Sequence, residues 1–593
     1  MNRLILIWVA SATIGCGLTV DYDPGDGGDA AVGDAASGDS ALDMDAAQID
    51  AAVGDGGSDS GTDAVTCADE DGDGIDSCSD CDDSNPDVYP GAPLVCGDGV
   101  INDCPGGTGD ESTCGGMGTY VSQATGLDSN PGTRAMPVQT VHQGINNATA
   151  IGAGVDVYVA EGTYREAIMM QESHSVLCGY EAAAWTRDYD AYVSDITSIT
   201  NGGIVFDAST TRETMIEGCT LRGRGGVTSS VVIGFNAGSD GVARENVVYG
   251  GDNGGGGSTG IIIYAEAPAM TATRPDNTSG TPLVEGNTVY MGRGANGWGN
   301  SRQSAGISSW QTRAEIFDND VFLTDFVTIQ RGIESLNGLP GTFIRGNRIR
   351  GTGTTDLALA LRIIGGSADV THNDVYPGVC QQACVAAELG GALESVTLSN
   401  NIFIGGPSAS DRSAGLWFDF ERPPPSRLEV LVHSNFLAGG RTGSPSVGAG
   451  WWNPPMGSPI RVGRLINNVI HAGGGGRAFA LFESDASIDP VRLEHNALYA
   501  PSWGVGGGGA LYYDEGGTVL STIALVNGLP ESVGVSLYDD CSLVDPLPDG
   551  DHHLGAGSLC RDAGSTTDLP RVDFENEMRP RGAGPDIGPD EAG

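Results

Sequence analysis

Asp318-Asn319-Asp320-Val321-Phe322, Gly346-Asn347-Arg348-Ile349 and His372-Asn373-Asp374-Val375-Tyr376 carry the pattern that decides the fold. Each joins a turn residue to an asparagine and a short strand. The unit appears earlier as Glu245-Asn246-Val247-Val248-Tyr249 and Gly286-Asn287-Thr288-Val289-Tyr290, and later as Asn400-Asn401-Ile402-Phe403 and His495-Asn496-Ala497-Leu498-Tyr499. From Asn246 the asparagines are spaced by 41, 32, 28 and 26 residues, then 27 to Asn400, and units at Asn435 and Asn467 bridge to Asn496. A second strand follows most units, as in Gly260-Ile261-Ile262-Ile263-Tyr264 and Ala414-Gly415-Leu416-Trp417-Phe418. Short strands at a variable period predict a solenoid whose coils share a core and carry loops of different length. A propeller would need four strands per blade at a steadier spacing of about 40–50 residues. Asparagine suits such a bend because it tolerates the left-handed region and can bond to its equivalent in the next coil. Roughly a dozen coils stacked at about 4.8 Å make a rod on the order of 60 Å long.

Outward from these repeats, Pro137 to Ala148 places Val138, Val141, Ile145 and Ala148 on one helical face, and Val155-Asp156-Val157-Tyr158-Val159 reads as a strand. The passage from Gly126-Leu127-Asp128-Ser129-Asn130-Pro131-Gly132-Thr133 to Val159-Ala160-Glu161-Gly162-Thr163-Tyr164 resembles the capped start of bacterial right-handed parallel β-helix (pectin-lyase-like) surface proteins. Asp573-Phe574-Glu575-Asn576-Glu577-Met578-Arg579-Pro580-Arg581 and Gly584-Pro585-Asp586-Ile587-Gly588 resemble the terminal segment of such proteins. The resemblance implies an all-β right-handed parallel β-helix with an N-terminal cap helix over residues 116–535, and an end segment over 536–593.

The 29 basic side chains, all arginine, face 77 acidic ones, for a net charge of −48. Such a charge repels phosphate backbones and anionic headgroups and argues against nucleic-acid binding. Without lysine there is no Schiff-base or P-loop chemistry. Between Leu4 and Thr133 there is no arginine, yet 26 acids fall there. That region reads as three pieces. Met1-Asn2-Arg3 with the apolar run Leu4 to Ala10 predicts a signal peptide over residues 1–16, and Thr13-Ile14-Gly15-Cys16 resembles a bacterial lipobox, which implies lipidation of Cys16. No other apolar run reaches the length of a membrane span, so any membrane attachment is expected to be by acyl chains. Residues 17–66, rich in Asp, Ala, Gly and Ser, predict a disordered acidic stalk.

Residues 67–115 hold Cys67, Cys78, Cys81, Cys96, Cys104 and Cys114, which predicts up to three disulfides of open connectivity; a zinc pair at Cys78 and Cys81 is the competing reading. Asp69, Asp71 and Asp73 occupy positions 1, 3 and 5 of a cation loop, with Gly74 at 6, the Ile75 carbonyl at 7 and Asp80 at 12. That ligand order suits Ca²⁺. Continued through Cys81-Asp82-Asp83, Tyr89-Pro90-Gly91-Ala92, Cys96-Gly97-Asp98-Gly99 and Asn102-Asp103-Cys104, the string resembles the MopE-type metal-binding motif of bacterial surface proteins, which implies cation binding; Pro105 departs from it.

For chemistry on the rod, Asp318, Asp320 and Asp325 with Arg331, Arg345, Arg348 and Arg350 are the candidates for a lyase or hydrolase face, weighed against their reading as turn and surface residues. Trp298, Trp310, Trp417, Trp451, Trp452 and Trp503 are candidates for a sugar-stacking row, weighed against loop packing. His372 and His495 read as turn residues and His552-His553 as an exposed loop. Cys380/Cys384, Cys541/Cys560 and Cys178/Cys219 read as staples. No Gly-X-Ser-X-Gly elbow or HExxH helix occurs. The expectation is an exported monomer, lipid-anchored at the outer membrane or cell surface of a Gram-negative-type bacterium, or secreted if not lipidated. It binds Ca²⁺ and contacts carbohydrate or a cell-surface polymer; a polysaccharide lyase or glycoside hydrolase is the alternative.

Overall fold

The computed structural model describes residues 13–14, 18–19, 75, 79–82, 85, 88–90, 92 and 104, and residues 118–592 apart from 227–229, 237, 253–256, 265–279, 293–302, 326–328, 421–428, 443–444, 453–459, 475–476, 501–509, 542 and 544–549. The chain divides into two units, Thr19–Thr113 and the remainder, which contains everything from Cys114 onward. In the smaller unit Cys81 is bonded to Cys104. This selects one pairing from the open set and removes Cys81 from a zinc pair; Cys67, Cys78, Cys96 and Cys114 lie outside the described residues.

The larger unit is a parallel β-helix. Each coil contributes three strands, here assigned to sheets I, II and III in chain order. Sheet I stacks segments such as Val242–Arg244, Leu283–Glu285 and Glu315–Phe317; sheet II stacks Val247–Tyr249, Thr288–Tyr290 and Asp320–Leu323; sheet III stacks Ser258–Tyr264, Gln303–Trp310 and Ile329–Gly338, all in parallel register. Thr354–Thr371 and Val379–Ser399 run from sheet III straight into sheet I. At the N-terminal end the helix Val141–Ile151 buries Val141, Gly144, Ile145 and Ala148. Thr140 caps it by accepting from Gln143 N at 3.2 Å, and the Glu166 carboxylate accepts from Val141 N and His142 N, both at 2.9 Å. A carboxylate there meets the positive end of the helix dipole.

Sheets I and II meet at a bend of one left-handed residue followed by one buried polar residue. The left-handed positions are Gly218, Glu245, Gly286, Asp318, Gly346, His372, Asn400, Ser434, Asn467, His495 and Gly534, all at φ between 49° and 74°. The residues directly after them form a ladder from Cys219 through Asn246, Asn287, Asn319, Asn347, Asn373, Asn401, Asn435 and Asn468 to Asn496, and Ser536, two residues after Gly534, closes it. Each backbone N–H donates to the side-chain oxygen one coil on, at 2.9–3.2 Å. In the two Asn-Asn pairs the ladder members are Asn401 and Asn468, one residue later than the repeat count placed them. Asn400 and Asn467 take the left-handed bend instead.

Counting from the ladder residue explains the strand that follows. The second residue after it points inward: Val248, Val289, Val321, Ile349, Val375, Phe403, Leu437, Ile470 and Leu498 are fully buried in the core stack. The first points outward and is polar in the middle coils, at Thr288, Asp320, Arg348 and Asp374. In later coils it becomes Ile402, Phe436, Val469 and Ala497, which are buried. What covers them is the C-terminal segment. Expected as the end of the rod, it folds back along the rod's flank. Ile587, Leu554 and the Cys541–Cys560 disulfide pack on Ile402, Phe436, Val469 and Ala497. Its backbone also meets successive coils in reverse order. His495 Nδ1 donates to Ala563 O at 2.9 Å, Asn467 Nδ2 to Ser565 O at 2.8 Å, His433 Nε2 to Thr567 O at 2.9 Å, Asn400 Nδ2 to Val572 O at 2.8 Å and His372 Nε2 to Asp573 O at 2.7 Å. Arg579 fixes the strap internally: its buried guanidinium donates to Glu591 at 3.1 Å, Gly588 O at 2.8 Å and Pro589 O at 2.7 Å. The other two expected staples, Cys178–Cys219 and Cys380–Cys384, are also bonded.

The ladder predicts a large penalty for an apolar isostere. Asn373 accepts from Asn347 N and Nδ2, both at 3.0 Å, and donates to Ile344 O, Thr371 O and Asn401 Oδ1. Asn373→Leu leaves Asn347 N–H buried without an acceptor, and should cost about 2–4 kcal/mol in denaturant unfolding. A loss below about 1 kcal/mol would show that the ladder is not what holds the bend.

One interior acid predicts a pH dependence. Glu483 faces the core near the C-terminal end of the stack, accepting from Tyr512 Oη and, at 2.8 Å, from Glu515 N. Burial pushes its pKa up to about 8. The folded protein therefore keeps a proton that the unfolded chain releases above its ordinary value of 4.5. This contribution is complete at low pH and is lost as pH rises through about 8. Glu483→Gln should leave the melting temperature at pH 5 nearly unchanged and raise it by several degrees at pH 9; equal shifts at both values would refute the assignment.

Candidate functional site

Two outward faces of the rod gather functional side chains. On sheet III the register places Ser308, Glu334, Arg362, Glu388 and Trp417 in one column on successive coils. Ser308 Oγ donates to Glu334 at 2.9 Å. Arg331 lies 3.4 Å from Glu334, and Arg362 bridges Glu334 at 3.8 Å and Glu388 at 3.6 Å. Arg412 lies over the Trp417 ring and pairs with Asp411 at 3.4 Å and Asp419 at 3.7 Å. Burial lowers the Arg331 pKa, with Glu334 opposing and Arg362 adding to the shift. Glu334 and Glu388 stand two coils apart, about 10 Å along the stack. A hydrolytic pair needs one carboxyl to carry a proton for the leaving group, whereas both of these are committed to guanidinium partners.

On sheet II the third residue after each ladder position points outward. There Arg222, Tyr249, Tyr290, Phe322, Arg350 and Tyr376 stand on consecutive coils. Tyr249 and Tyr290 stack at 4.9 Å with 9° between their planes, and Tyr290 and Phe322 at 5.0 Å with 14°. Arg222 covers the outer face of the row, 4.1 Å from the Tyr249 centroid, and pairs with Asp195 at 2.7 Å. The ring faces are spent on one another, so the row presents edges and phenolic hydroxyls. Beside it runs a groove of about 400 Å³ lined by Arg222, Tyr249, Asp252, Tyr290, Met291 and Thr324. Gly223, Gly225 and Gly250 also line it. A Cβ at Gly250 would come within 2.3 Å of Gly292 N, so only glycine lets the coils approach here. This is a concave surface with aromatic, cationic, anionic and hydroxyl groups in reach of one ligand.

The other sequence candidates scatter. Asp318 takes a left-handed bend. Asp320 pairs with Arg348 at 3.8 Å on sheet II, where Arg350 pairs with Asp374. Arg345 donates to Asn576 of the strap at 3.3 Å, and Arg331 belongs to sheet III. Asp325 follows Thr324 of the sheet II groove in sequence without lining it, and its Oδ1 is buried with no hydrogen-bond partner. Sheet II brings together Asp320, Arg348 and Arg350, each ion-paired, while Asp318, Arg331 and Arg345 are carried to the bend, sheet III and the strap. The tryptophan row also fails: Trp417 and Trp451 are 2% and 0% exposed, Trp310 is half-buried beside Tyr264, and Trp452, at 45%, is the one fully exposed among the described tryptophans. Trp298 and Trp503 lie outside the described residues. His372 and His495 are turn residues as expected. His552, expected to be exposed, is buried against Phe436, because the strap turns it inward.

Of the expected cation ligands, Asp69, Asp71 and Asp73 lie outside the described residues, as does Cys16. Ile75 is half-buried. Asp80 accepts from Asp82 N at 3.1 Å through one oxygen, and its other oxygen is buried without a hydrogen-bond partner beside the Cys81–Cys104 bridge. A carboxylate oxygen so placed fits a hard cation.

No protein-family model matches the sequence, and no curated protein does. Among solved structures the chain is similar to pectate lyase Pel9A, at 12% identity and a TM-score of 0.37, over 80% of this chain and 96% of that one. It is also similar to the catalytic domain of a GH87 α-1,3-glucanase in complex with tetrasaccharides, at 10% identity and a TM-score of 0.32, over 67% and 66%. A third similarity, to GH136 lacto-N-biosidase from Eubacterium ramulus, has 11% identity and a TM-score of 0.20, over 54% and 67%.

Proposed function

We propose that this chain is an exported surface protein whose β-helix binds a carbohydrate polymer without cleaving it, at the groove on sheet II. The observation that carries this reading is the groove itself: about 400 Å³ between the Tyr249–Tyr290 edges and Arg222, Asp252 and Thr324. Sugar hydroxyls are matched by such donors and acceptors, and the apolar edges of a pyranose by aromatic rims. Binding without turnover is supported on sheet III, where Glu334 and Glu388 are both ion-paired. A second reading, a polysaccharide lyase, draws on Arg331, whose buried guanidinium has a lowered pKa and so a weaker hold on its proton. Tyr290→Ala and Arg222→Ala should each weaken retention on a polysaccharide panel by roughly tenfold, the value of a contact worth about 1.4 kcal/mol. New chain ends that appear with the wild type and vanish in Arg331→Ala would make the lyase reading correct. Retention unaffected by both groove substitutions would end the groove assignment.

The same proposal places residues 67–115 as a Ca²⁺ module, with Asp69, Asp71, Asp73, Ile75 and Asp80 as ligands, and Cys16 as the lipidated residue that tethers a monomer to the outer membrane through the acidic stalk. The ligand order and the unpartnered Asp80 oxygen support the calcium assignment. Calorimetry of the oxidised chain should give calcium binding that Asp71→Ala weakens at least tenfold; no heat at millimolar calcium would exclude the module, since even weak extracellular sites fall in that range.

A further inference from the structure

The C-terminal strap gathers a second set of donors, of different chemistry. His553 Nε2, a Glu575 oxygen and an Asp590 oxygen lie within 4.8 Å of one another, and Nε2 is 3.8 Å from Glu575 Oε1. The three residues come from separate stretches: the loop at 551–554, the turn at 573–577 and the chain's last residues. Each is held from behind. His553 Nδ1 donates to Asp551 Oδ1 at 2.5 Å, which fixes the tautomer and leaves the Nε2 lone pair toward the carboxylates. Asp573 accepts from Glu575 N at 3.0 Å, Glu577 N at 2.7 Å and Glu591 N at 3.2 Å, tying the Glu575 turn to the Asp590 segment. Asp590 accepts from Leu554 N at 2.7 Å through Oδ2 and is 3% exposed.

We propose that His553, Glu575 and Asp590 form a mononuclear site for a divalent cation of the zinc class. Imidazole with two carboxylates suits borderline first-row ions, whereas Ca²⁺ takes six to eight oxygens and has no use for the ring nitrogen. Metal–ligand bonds of about 2.1 Å put the 3.8 Å pair within reach of one ion, and closure by about 1 Å brings in Asp590. A carboxylate on the far ring nitrogen is the arrangement that orients a ligating histidine. Charge supports the same assignment: Glu575, Asp590 and the neighbouring Asp573 and Asp551 place four carboxylates around one imidazole, a set that a divalent cation neutralises. Arg579 lies close enough to offset part of this charge but is bound to Glu591 and to backbone carbonyls. Solvent fills the remaining coordination positions, because His553 and Glu575 are on the surface. The ion would cross-link three stretches of the strap at the end of its path along the rod.

The test is zinc titration of the full oxidised chain by calorimetry, with Co²⁺ as a spectroscopic probe. Wild type should show a component that His553→Ala and Glu575→Gln remove, and that Asp551→Asn weakens by roughly 10–100-fold, as loss of an orienting carboxylate does. The visible Co²⁺ band should likewise vanish in His553→Ala. Metal-free melting curves of these surface variants, matching the wild type, separate loss of the site from loss of the fold. An isotherm unchanged by His553→Ala overturns the site. So does a zinc component removed by Asp71→Ala, which would put the ion on the N-terminal acids.

Discussion

The bend between sheets I and II is the constraint on which the remainder depends. A chain that turns sharply at a left-handed residue cannot pair the next N–H with a sheet neighbour, and a buried N–H without an acceptor costs about 1–3 kcal/mol. Asparagine solves this in every coil from Asn246 to Asn496, because its side-chain oxygen reaches the N–H one coil below while its amide donates to carbonyls beside it. The left-handed residue itself is unfavourable for Glu245, Asp318, His372, Ser434 and His495. Bonding above and below over-determines it. Once the bend repeats in register, the inward positions of sheets I and II must stack, and loops between sheets can vary in length without disturbing the core.

Much of this was legible. The Asn-plus-strand unit identified the solenoid, and three of the loop disulfides follow from cysteine positions. The one-residue error at Asn400-Asn401 and Asn467-Asn468 has a physical origin: asparagine is suited to both the left-handed bend and the ladder, so an Asn-Asn pair does not reveal which role falls where. The aromatic row was also written in the sequence, as Tyr249, Tyr290, Phe322 and Tyr376 three residues after their ladder asparagines, but it appears only when coils are aligned on the asparagine. Glu334, Arg362 and Glu388 carry no such signal. They sit on sheet III, whose offset from the ladder changes with every intervening loop, and irregular pairing between Thr354–Thr371 and Val379–Ser399 shifts the count again.

The strap was the least legible element, because its contacts span long sequence separations. Its trace is nonetheless present in the position following the ladder residue. That position is Thr288, Asp320, Arg348 and Asp374 where the strand faces solvent, and Ile402, Phe436, Val469 and Ala497 where it does not. A polar-to-apolar change at one fixed position of a repeat implies a partner for the later coils. Here the partner is the chain's own terminus.

Sheet II is thereby shared between two occupants. The strap reaches down the rod as far as the coil of Arg345, where Asn576 accepts from its guanidinium, and its apolar footprint begins at Tyr376 and Ile402. The aromatic row starts at Arg222 and continues through Tyr376, which already packs against the strap's apolar cluster. From Arg222 to Tyr376 is six coils, or about 24 Å of rod at roughly 4.8 Å per step. A polymer lying along this face meets side chains over that length and the folded strap beyond it. The segment that covers the apolar flank of the last coils therefore also bounds the surface left for binding, and the same repeat position sets both limits.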